Sequence, residues 1–460
     1  MNSLSFAETI KNTFRCIYLR IPDEIRFGKI YRKQRQFLRN TIKCSREEID
    51  LWQMEKIKEI VRNAYEESNY YKKLLDNIGM KPDDLQTISD FKKIPSITKE
   101  MIQNNLGKII YKRYNKSQLN YVTTGGSTGI PLGLYYIRGF SKSIEWAFVH
   151  DIWSKFGFET NKKHVILRGN VIEKSVVRKR VLELILSSYH LTEGNMSKYI
   201  KSIYEFKPEY IQAYPSSISM LCQYMKENSL PPFQSLKMVM CSSENLFSFQ
   251  KDMIYDVLKV PICNLYGNTE HTCIASNCRF SDYLHFRPEY GFVEILNEMG
   301  EECAVEGDIG EIVATSFNNP AFPLIRYKTG DIAIYTNKKC KCGWNYKLIK
   351  EIQGREQEFI ITNTGRKICI AAINMHSDIF DHIYQFQFYQ NYPGKVTFKF
   401  IPKENCSIMD ERKIYSEIIK KLGDDVQLNL KRVDKMEVSQ RGKHKFLIQE
   451  LKVNQYCNGI

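Results

Sequence analysis

Between residues 160 and 275, four short β-type runs alternate with helical stretches. The runs are His164–Leu167, Tyr210–Tyr214, Lys237–Met240 and Ile262–Leu265, and Ser216–Lys226 and Phe249–Leu258 are two of the helical stretches between them. Strands joined through helices cannot pair as tight hairpins, so this order predicts a parallel sheet with helices packed on its faces. The pattern changes on either side. Residues 1–120 read as mainly helical: Ser45-Arg-Glu-Glu48 has the form of a capping box, and Ile49, Trp52, Ile57, Ile60, Val61 and Ala64 follow at helical spacing. Gly79 and then Pro82 close the next helix. Residues 290–350 are β-dominated, with Val293–Leu296, a turn at Asn297–Gly300, and Gly310–Thr315.

The expectation is an α/β protein in several parts. A helical section at 1–120 packs on a core at 121–353, which carries the β-rich section 290–350. A small α+β domain follows at 354–460. A chain of 460 residues exceeds one ordinary core, which agrees with that division.

Thirteen cysteines, an odd number scattered along a chain that starts Met1-Asn-Ser-Leu-Ser, suit reduced thiols in a cytoplasmic protein better than a disulfide framework. No apolar run approaches the ~18 residues of a membrane span. Phe14, Ile17, Tyr18 and Ile21, beside Lys11, Arg15 and Arg20, form a stripe that suits a helix covering its own domain; peripheral contact with a membrane surface is the alternative. The net charge of +15 is spread along the chain without a nucleic-acid-binding signature, so it reads as a solvated surface and no nucleic-acid partner is expected.

Three blocks carry chemistry. Thr123-Thr-Gly-Gly-Ser-Thr-Gly-Ile-Pro131 offers backbone N–H groups and hydroxyls suited to a polyphosphate. Tyr266-Gly-Asn-Thr-Glu270 puts a ring, a glycine and a carboxylate together, as a purine and a divalent ion require. Tyr327-Lys-Thr-Gly-Asp331 presents a carboxylate after a tight turn, able to accept from ribose hydroxyls. The first block also fits the G-x-S-x-G elbow of α/β-hydrolases, with Ser127 as nucleophile. That elbow needs a helix directly after the serine, whereas Pro131 and the β-type run Leu132–Tyr136 point to a strand. No Lys-Ser/Thr pair follows the glycines, which excludes a Walker loop.

In order and spacing the three blocks resemble the adenylate-forming superfamily. Ser242-Ser-Glu244 and Leu324-Ile-Arg-Tyr327 are similar to its phenylacetate–CoA ligase group. Ala372–Phe380 and Gln385–Gln390 resemble the branch linked to capsule and surface-polysaccharide synthesis. The resemblance implies an ATP- and Mg²⁺-dependent ligase that joins a carboxylic acid to AMP and releases pyrophosphate. Thr124, Gly125, Gly126, Ser127, Thr128 and Gly129 would hold the phosphates, and Tyr266, within Gly267, Asn268 and Thr269, would stack on adenine beside Ser243 and Glu244. Glu270 would bind Mg²⁺, Asp331 the ribose, and Arg355 the nucleotide from the hinge. Lys443 would enter the site from the small C-terminal lid and screen charge at the α-phosphate; Lys445 is the fallback. Cys278, His285, Cys340 and Cys342 fall where relatives place a structural zinc site; His271 and Cys273 are spare ligands.

Three departures stand out. Leu132 replaces a lysine, Gln357 replaces an aspartate, and Ile370-Ala-Ala-Ile-Asn374 lacks the glycine that lets a pantetheine arm pass. The last weakens CoA as acceptor and favours a polysaccharide or lipid-linked sugar precursor. A phenylacetate-type acyl-CoA ligase is the alternative, followed by a Ser127 hydrolase and a non-catalytic scaffold.

Overall fold

The computed structural model describes residues 18, 21–123, 132–169, 176–191, 193–246, 248–297, 299–352, 359–369, 382–402, 404, 406–434 and 447–451. Of the apolar stripe near the N-terminus, only Tyr18 and Ile21 fall within these ranges.

The N-terminal helices α1 (Gly28–Thr41), α2 (Arg46–Glu67) and α3 (Asn69–Asn77) pack on the rest of the chain through Leu38, Ile57, Val61, Tyr71 and Leu75, all nearly inaccessible. The capping box starts α2: Ser45 Oγ accepts from the Glu48 amide at 3.2 Å, and Glu48 Oε2 accepts from the Ser45 amide at 2.7 Å. Each bond satisfies an orphan donor of the first turn.

The hairpin β1 (Leu119–Thr123) and β2 (Gly133–Ile137) follows, with Thr123 opposite Gly133. Then come α4 (Ser141–Ser154), β3 (His164–Arg168), β4 (Val177–Lys179), β5 (Glu183–Ser187), α5 (Glu193–Phe206), β6 (Tyr210–Ala213) and α6 (Pro215–Glu227). Next are β7 (Met238–Ser242), α7 (Ser248–Leu258), β8 (Ile262–Gly267), β9 (Ile274–Cys278), β10 (Ser281–Phe286), β11 (Gly291–Leu296), β12 (Ile309–Ser316), β13 (Tyr327–Tyr335) and β14 (Leu348–Ile352). All twelve strands from β3 to β14 form one sheet, in the order β11-β12-β13-β14-β10-β9-β8-β7-β6-β3-β5-β4. Strands β8, β7, β6, β3 and β5 run parallel, and the remaining pairings are antiparallel. The four β-type runs read from the sequence are β3, β6, β7 and β8, displaced by no more than two residues at either end. Helices on both faces explain why β7 is buried at all five positions.

The C-terminal part holds the hairpin β15 (Phe359–Ile361) and β16 (Lys367–Cys369), then β17 (Ile383–Tyr392), β18 (Lys395–Pro402), α8 (Ile408–Leu422), β19 (Gln427–Arg432) and β20 (Leu447–Gln449). The last four strands pair as β19-β18-β17-β20. Phe386, Phe388, Phe398 and Phe400 pack against Ile414, Ile418 and Leu422 of α8. Tyr214, beyond the end of β6, joins this apolar cluster and so marks a seam between the large sheet and the C-terminal part.

Two buried polar devices tie the elements together. Arg326, just before β13, forms a two-pronged ion pair with Glu294 of β11 at 2.9 and 3.0 Å, and donates to the carbonyls of Lys92 and Ile94 at 2.6 Å. The helical section is thereby fixed to the strand that bears Asp331. Glu294→Ala would strand a buried guanidinium and should destabilise the protein by about 3 kcal/mol, readable as a lowered denaturant midpoint; an unchanged midpoint would refute the role.

His150 of α4 is the second device. It is buried among Phe27, Trp146 and Trp153, with Nδ1 3.1 Å from the Tyr31 hydroxyl. Burial, reinforced by the Arg35 and Arg26 charges, depresses its pKa to about 3. Between that value and ~6.5 the unfolded chain binds a proton that the native state refuses. Stability from this group is therefore complete above pH ~6.5 and falls by roughly 1.4 kcal/mol per pH unit below it. His150→Gln should flatten that slope in denaturant titrations at pH 4–6.

Candidate active site

Strand β8 ends at Gly267, and the following turn is pinned by Asn268, whose Oδ1 accepts from the Thr272 amide at 3.0 Å while Nδ2 donates to Thr272 Oγ1 at 2.6 Å. Two tyrosines then cross-tie the second and third sequence blocks. The Tyr266 hydroxyl donates to Asp331 Oδ2 at 2.9 Å, and the Tyr327 hydroxyl donates to Glu270 Oε1 at 2.7 Å. Each block thus supplies the tyrosine that orients the other block's carboxylate. Gly330 holds φ +76°, the left-handed conformation that places Asp331 after the turn, and the Asp331 amide donates to Thr329 Oγ1 at 3.2 Å. Burial and the neighbouring Asp331 carboxylate push the Tyr266 phenol well above its usual range, so it remains a donor. Glu270 is 6% exposed. Such a carboxylate is costly to leave unpaired and suited to a cation.

Residues 124–131, and with them Thr124 through Gly129 of the expected phosphate loop, lie outside the described residues. Their flanks bear on the choice of chemistry. β1 ends at Thr123 and its antiparallel partner β2 begins at Gly133, a separation that suits a strand-to-strand connection better than the strand–turn–helix of a nucleophile elbow. β2 also brings Tyr136 to the second block: its hydroxyl donates to the Thr269 carbonyl, and its ring stacks on His271 with centroids 4.4 Å apart. Arg355 and Lys443 lie outside the described residues as well.

Three neighbouring parallel strands end beside this turn. Ser243, directly after β7, has φ +70° and receives a 2.6 Å hydrogen bond from Arg168 Nη2 at the end of β3. The Arg168 guanidinium sits 5.0 Å from the ring centroid of Tyr214. Glu244 follows Ser243. Ligands in open α/β sheets bind outside the carboxyl ends of the strands, which is where these residues gather. Arg168 and Tyr214 were not legible as site residues in the sequence, since each merely ends an apolar run. Tyr327 lay inside a recognised block, but its hydroxyl's partner is fixed only by the β13 register.

The cysteine set converges. Cys278 ends β9, His285 lies on β10, and Cys340 and Cys342 lie in the loop from β13 to β14. The four candidate donor atoms all fall within 4.8 Å of one another. Cys278 Sγ is 3.5 Å from Cys340 Sγ, and Cys342 Sγ is 3.3 Å from His285 Nε2. His285 Nδ1 faces the carbonyls of Tyr283 and Ser276 at 2.9 and 3.3 Å, which assigns the proton to Nδ1 and turns the Nε2 lone pair toward the thiols. The Phe280 amide donates to Cys278 Sγ at 3.3 Å and the Cys342 amide to Cys340 Sγ at 3.5 Å, as suits thiolates. Three thiols and one imidazole in this arrangement fit a tetrahedral zinc ion with a full shell. The spare candidates are engaged elsewhere: His271 stacks on Tyr136, and Cys273 Sγ lies 4.0 Å from the Tyr266 hydroxyl.

Comparison with known proteins gives consistent matches. Residues 360–450 match the family described as the CapK C-terminal domain. Protein CapK of Staphylococcus aureus is 25% identical over 92% of this chain and 95% of its own length. Phenylacetate-coenzyme A ligase of Aromatoleum evansii is also 25% identical, over 69% of this chain and 73% of its own. Among solved structures, 2-hydroxyisobutyryl-CoA ligase in complex with 2-HIB-AMP and CoA superposes with a TM-score of 0.60 at 16% identity, covering 90% of this chain and 92% of that one.

Proposed function

We infer that this chain, a member of the adenylate-forming superfamily in its phenylacetate–CoA ligase-like and CapK-related branch, activates a carboxylic acid with ATP and passes the acyl group to a nucleophile. The reading is carried by the reciprocal tie of Tyr266 to Asp331 and Tyr327 to Glu270, which orients two carboxylates between the β8 turn and β13. In the first step a carboxylate oxygen attacks the α-phosphorus, the α–β anhydride bond breaks, and pyrophosphate leaves. In the second, the acceptor attacks the acyl carbonyl, loses its proton, and AMP departs.

The residue roles follow from their chemistry. Asp331 accepts from the ribose hydroxyls, while Tyr266 flanks adenine with Ser243 and Glu244. The loop Thr124–Gly129 holds the phosphates through backbone N–H groups. Glu270 holds Mg²⁺, which when bound neutralises charge on the phosphate oxygens. Lys443 lies near the developing charge at the α-phosphate, and Arg355 contacts the nucleotide. Rate gain in such a displacement comes from positioning and electrostatics. Cys278, His285, Cys340 and Cys342 hold a structural zinc ion, whose chemistry here is to cross-link β9, β10 and the β13–β14 loop.

The acceptor is proposed to be a hydroxyl or amine on a surface-polysaccharide precursor, supported by similarity to CapK along almost the whole chain and by Ala371 and Ala372 where a glycine would admit pantetheine. CoA is the second reading, favoured by the phenylacetate-coenzyme A ligases among the relatives. Among the described residues no helix is long and apolar enough to cross a membrane. The deciding experiment is ATP–pyrophosphate exchange against a panel of carboxylic and amino acids, with Lys443→Ala as control. Acid-dependent exchange that the control lacks is expected. No exchange with any acid, or an unaffected Lys443→Ala protein, would overturn the reading. Thioester formation with CoA would decide for the second acceptor.

A further inference from the structure

We propose that Arg168 binds an oxyanion, a phosphate or carboxylate, carried by the substrate other than ATP; this rests on the adenylation reading above. Arg168 ends β3, Tyr214 follows β6 and Ser243 follows β7, and these strands are neighbours in the sheet. The guanidinium lies over the Tyr214 ring at 5.0 Å, gives a 2.6 Å hydrogen bond to Ser243 Oγ and is also hydrogen-bonded to the Tyr214 side chain. An aromatic face and a hydroxyl together fix the plane of the fork, and most of its five N–H donors remain for a ligand.

The more buried arginines show the contrast, whereas Arg138 and Arg279 donate to backbone carbonyls. Arg287 pairs with Asp151, Arg326 with Glu294, Arg366 with Asp425 and Arg35 with Asp151. Among the described residues, no carboxylate forms an ion pair with Arg168. A planar cation held in one orientation, with no carboxylate partner among the described residues, is matched by a two-oxygen anion. Ser243 adds a second sign, because it keeps a left-handed φ of +70° without being glycine, a cost that tends to persist at ligand sites.

Position indicates which substrate. Tyr266 and Glu270 lie on and after β8, whereas the Tyr214 ring that seats the guanidinium follows β6, two strand spacings or about 10 Å away. Tyr214 also packs into the apolar cluster of the C-terminal sheet, so the guanidinium it seats lies beside the seam between the two parts. A second substrate can enter along such a seam while the nucleotide stays in place. The oxyanion is then either a phosphate on the acceptor or a second carboxylate on the acid.

The test compares wild type with Arg168→Gln and Arg168→Lys in two readouts. Calorimetry with CoA and with a panel of nucleoside-diphosphate sugars measures binding without turnover, and ATP–pyrophosphate exchange gives KM for ATP and for the acid. A phosphate source is expected to weaken binding of at least one probe by about 10–100-fold in Arg168→Gln, with the lysine variant only partly restored. A carboxylate source raises the KM for the acid by the same factor instead. In both cases the KM for ATP rises by less than that factor, because Arg168 reaches the adenine side only through its hydrogen bond to Ser243 Oγ. The proposal is overturned if only the KM for ATP rises, or if neither readout differs from wild type. Should Arg168→Gln unfold, Tyr214→Leu removes the aromatic seat and is judged by the same outcomes. Absence of exchange in the wild type would count against adenylation, whereas lost probe binding in Arg168→Gln would still identify an oxyanion site.

Discussion

Glu270→Gln should lower the rate of ATP–pyrophosphate exchange by about 10²–10³. The substitution is nearly isosteric, and the Tyr327 hydroxyl, which donates to Glu270 Oε1 at 2.7 Å, can still donate to an amide oxygen. The fold is therefore expected to hold, with a melting temperature close to wild type, while the negative charge that would attract the divalent cation is lost. Because the missing element is charge at a fixed point, the defect should appear in kcat as well as in the Mg²⁺ requirement, and excess Mg²⁺ should not restore the rate. Tyr327→Phe separates orientation from charge: it keeps the carboxylate but removes the bond that aims it, and about a tenfold loss is expected. Wild-type exchange in Glu270→Gln would remove Glu270 from the chemistry and take the assigned cation site with it.

How far the sequence anticipates such a site depends on the range of the interactions involved. Blocks whose residues are contiguous, such as Tyr266–Glu270 and the Thr-Gly turn before Asp331, were visible as motifs, although each is weak alone and the roles expected of their residues came from the resemblance. The parallel strands were readable directly, as short runs such as Ile262–Leu265 separated by helices admit few other pairings. The reciprocal ties were not readable. Tyr327 meets Glu270 across 57 residues and Tyr266 meets Asp331 across 65, and only the packing of β13 beside the β8 turn brings them together. Strand β4, three residues with two of them exposed, carries too little apolar pattern to announce itself. The Arg326–Glu294 pair was hidden differently, since a lone glutamate in Val293–Leu296 looks like the solvent face of a hairpin, yet its exposure is 0%. The cysteine set needed the resemblance as well as the residues, because C-x-C followed by glycine fits a plain turn equally well.

Removing zinc should produce the largest loss of stability of any single perturbation here. Structural zinc contributes roughly 10–16 kcal/mol to small isolated domains, and part of that contribution should persist where four ligands join three segments of a larger sheet. Purified protein is expected to hold one zinc per chain, and Cys342→Ser or a strong chelator should lower the apparent unfolding temperature by more than about 10 °C. Acid should act in the same direction. Burial raises the thiol of Cys278 and pushes that of Cys342 up to about 12, so both are protonated at neutral pH in the metal-free cluster. Zinc must displace those protons, so its affinity falls as pH falls, and metal-linked stability should decline toward acid pH faster in wild type than in Cys342→Ser. The consequence reaches the nucleotide site through one strand. Cys278 ends β9, and β9 pairs with β8 so that Ala275 lies opposite Tyr266. Loss of the cross-link at the far end of β9 frees the partner of the strand that aims Tyr266 at Asp331. Nucleotide affinity should therefore weaken along with stability. A protein that carries no metal, or that melts identically with and without chelator, would leave the four side chains as reduced thiols and a buried imidazole.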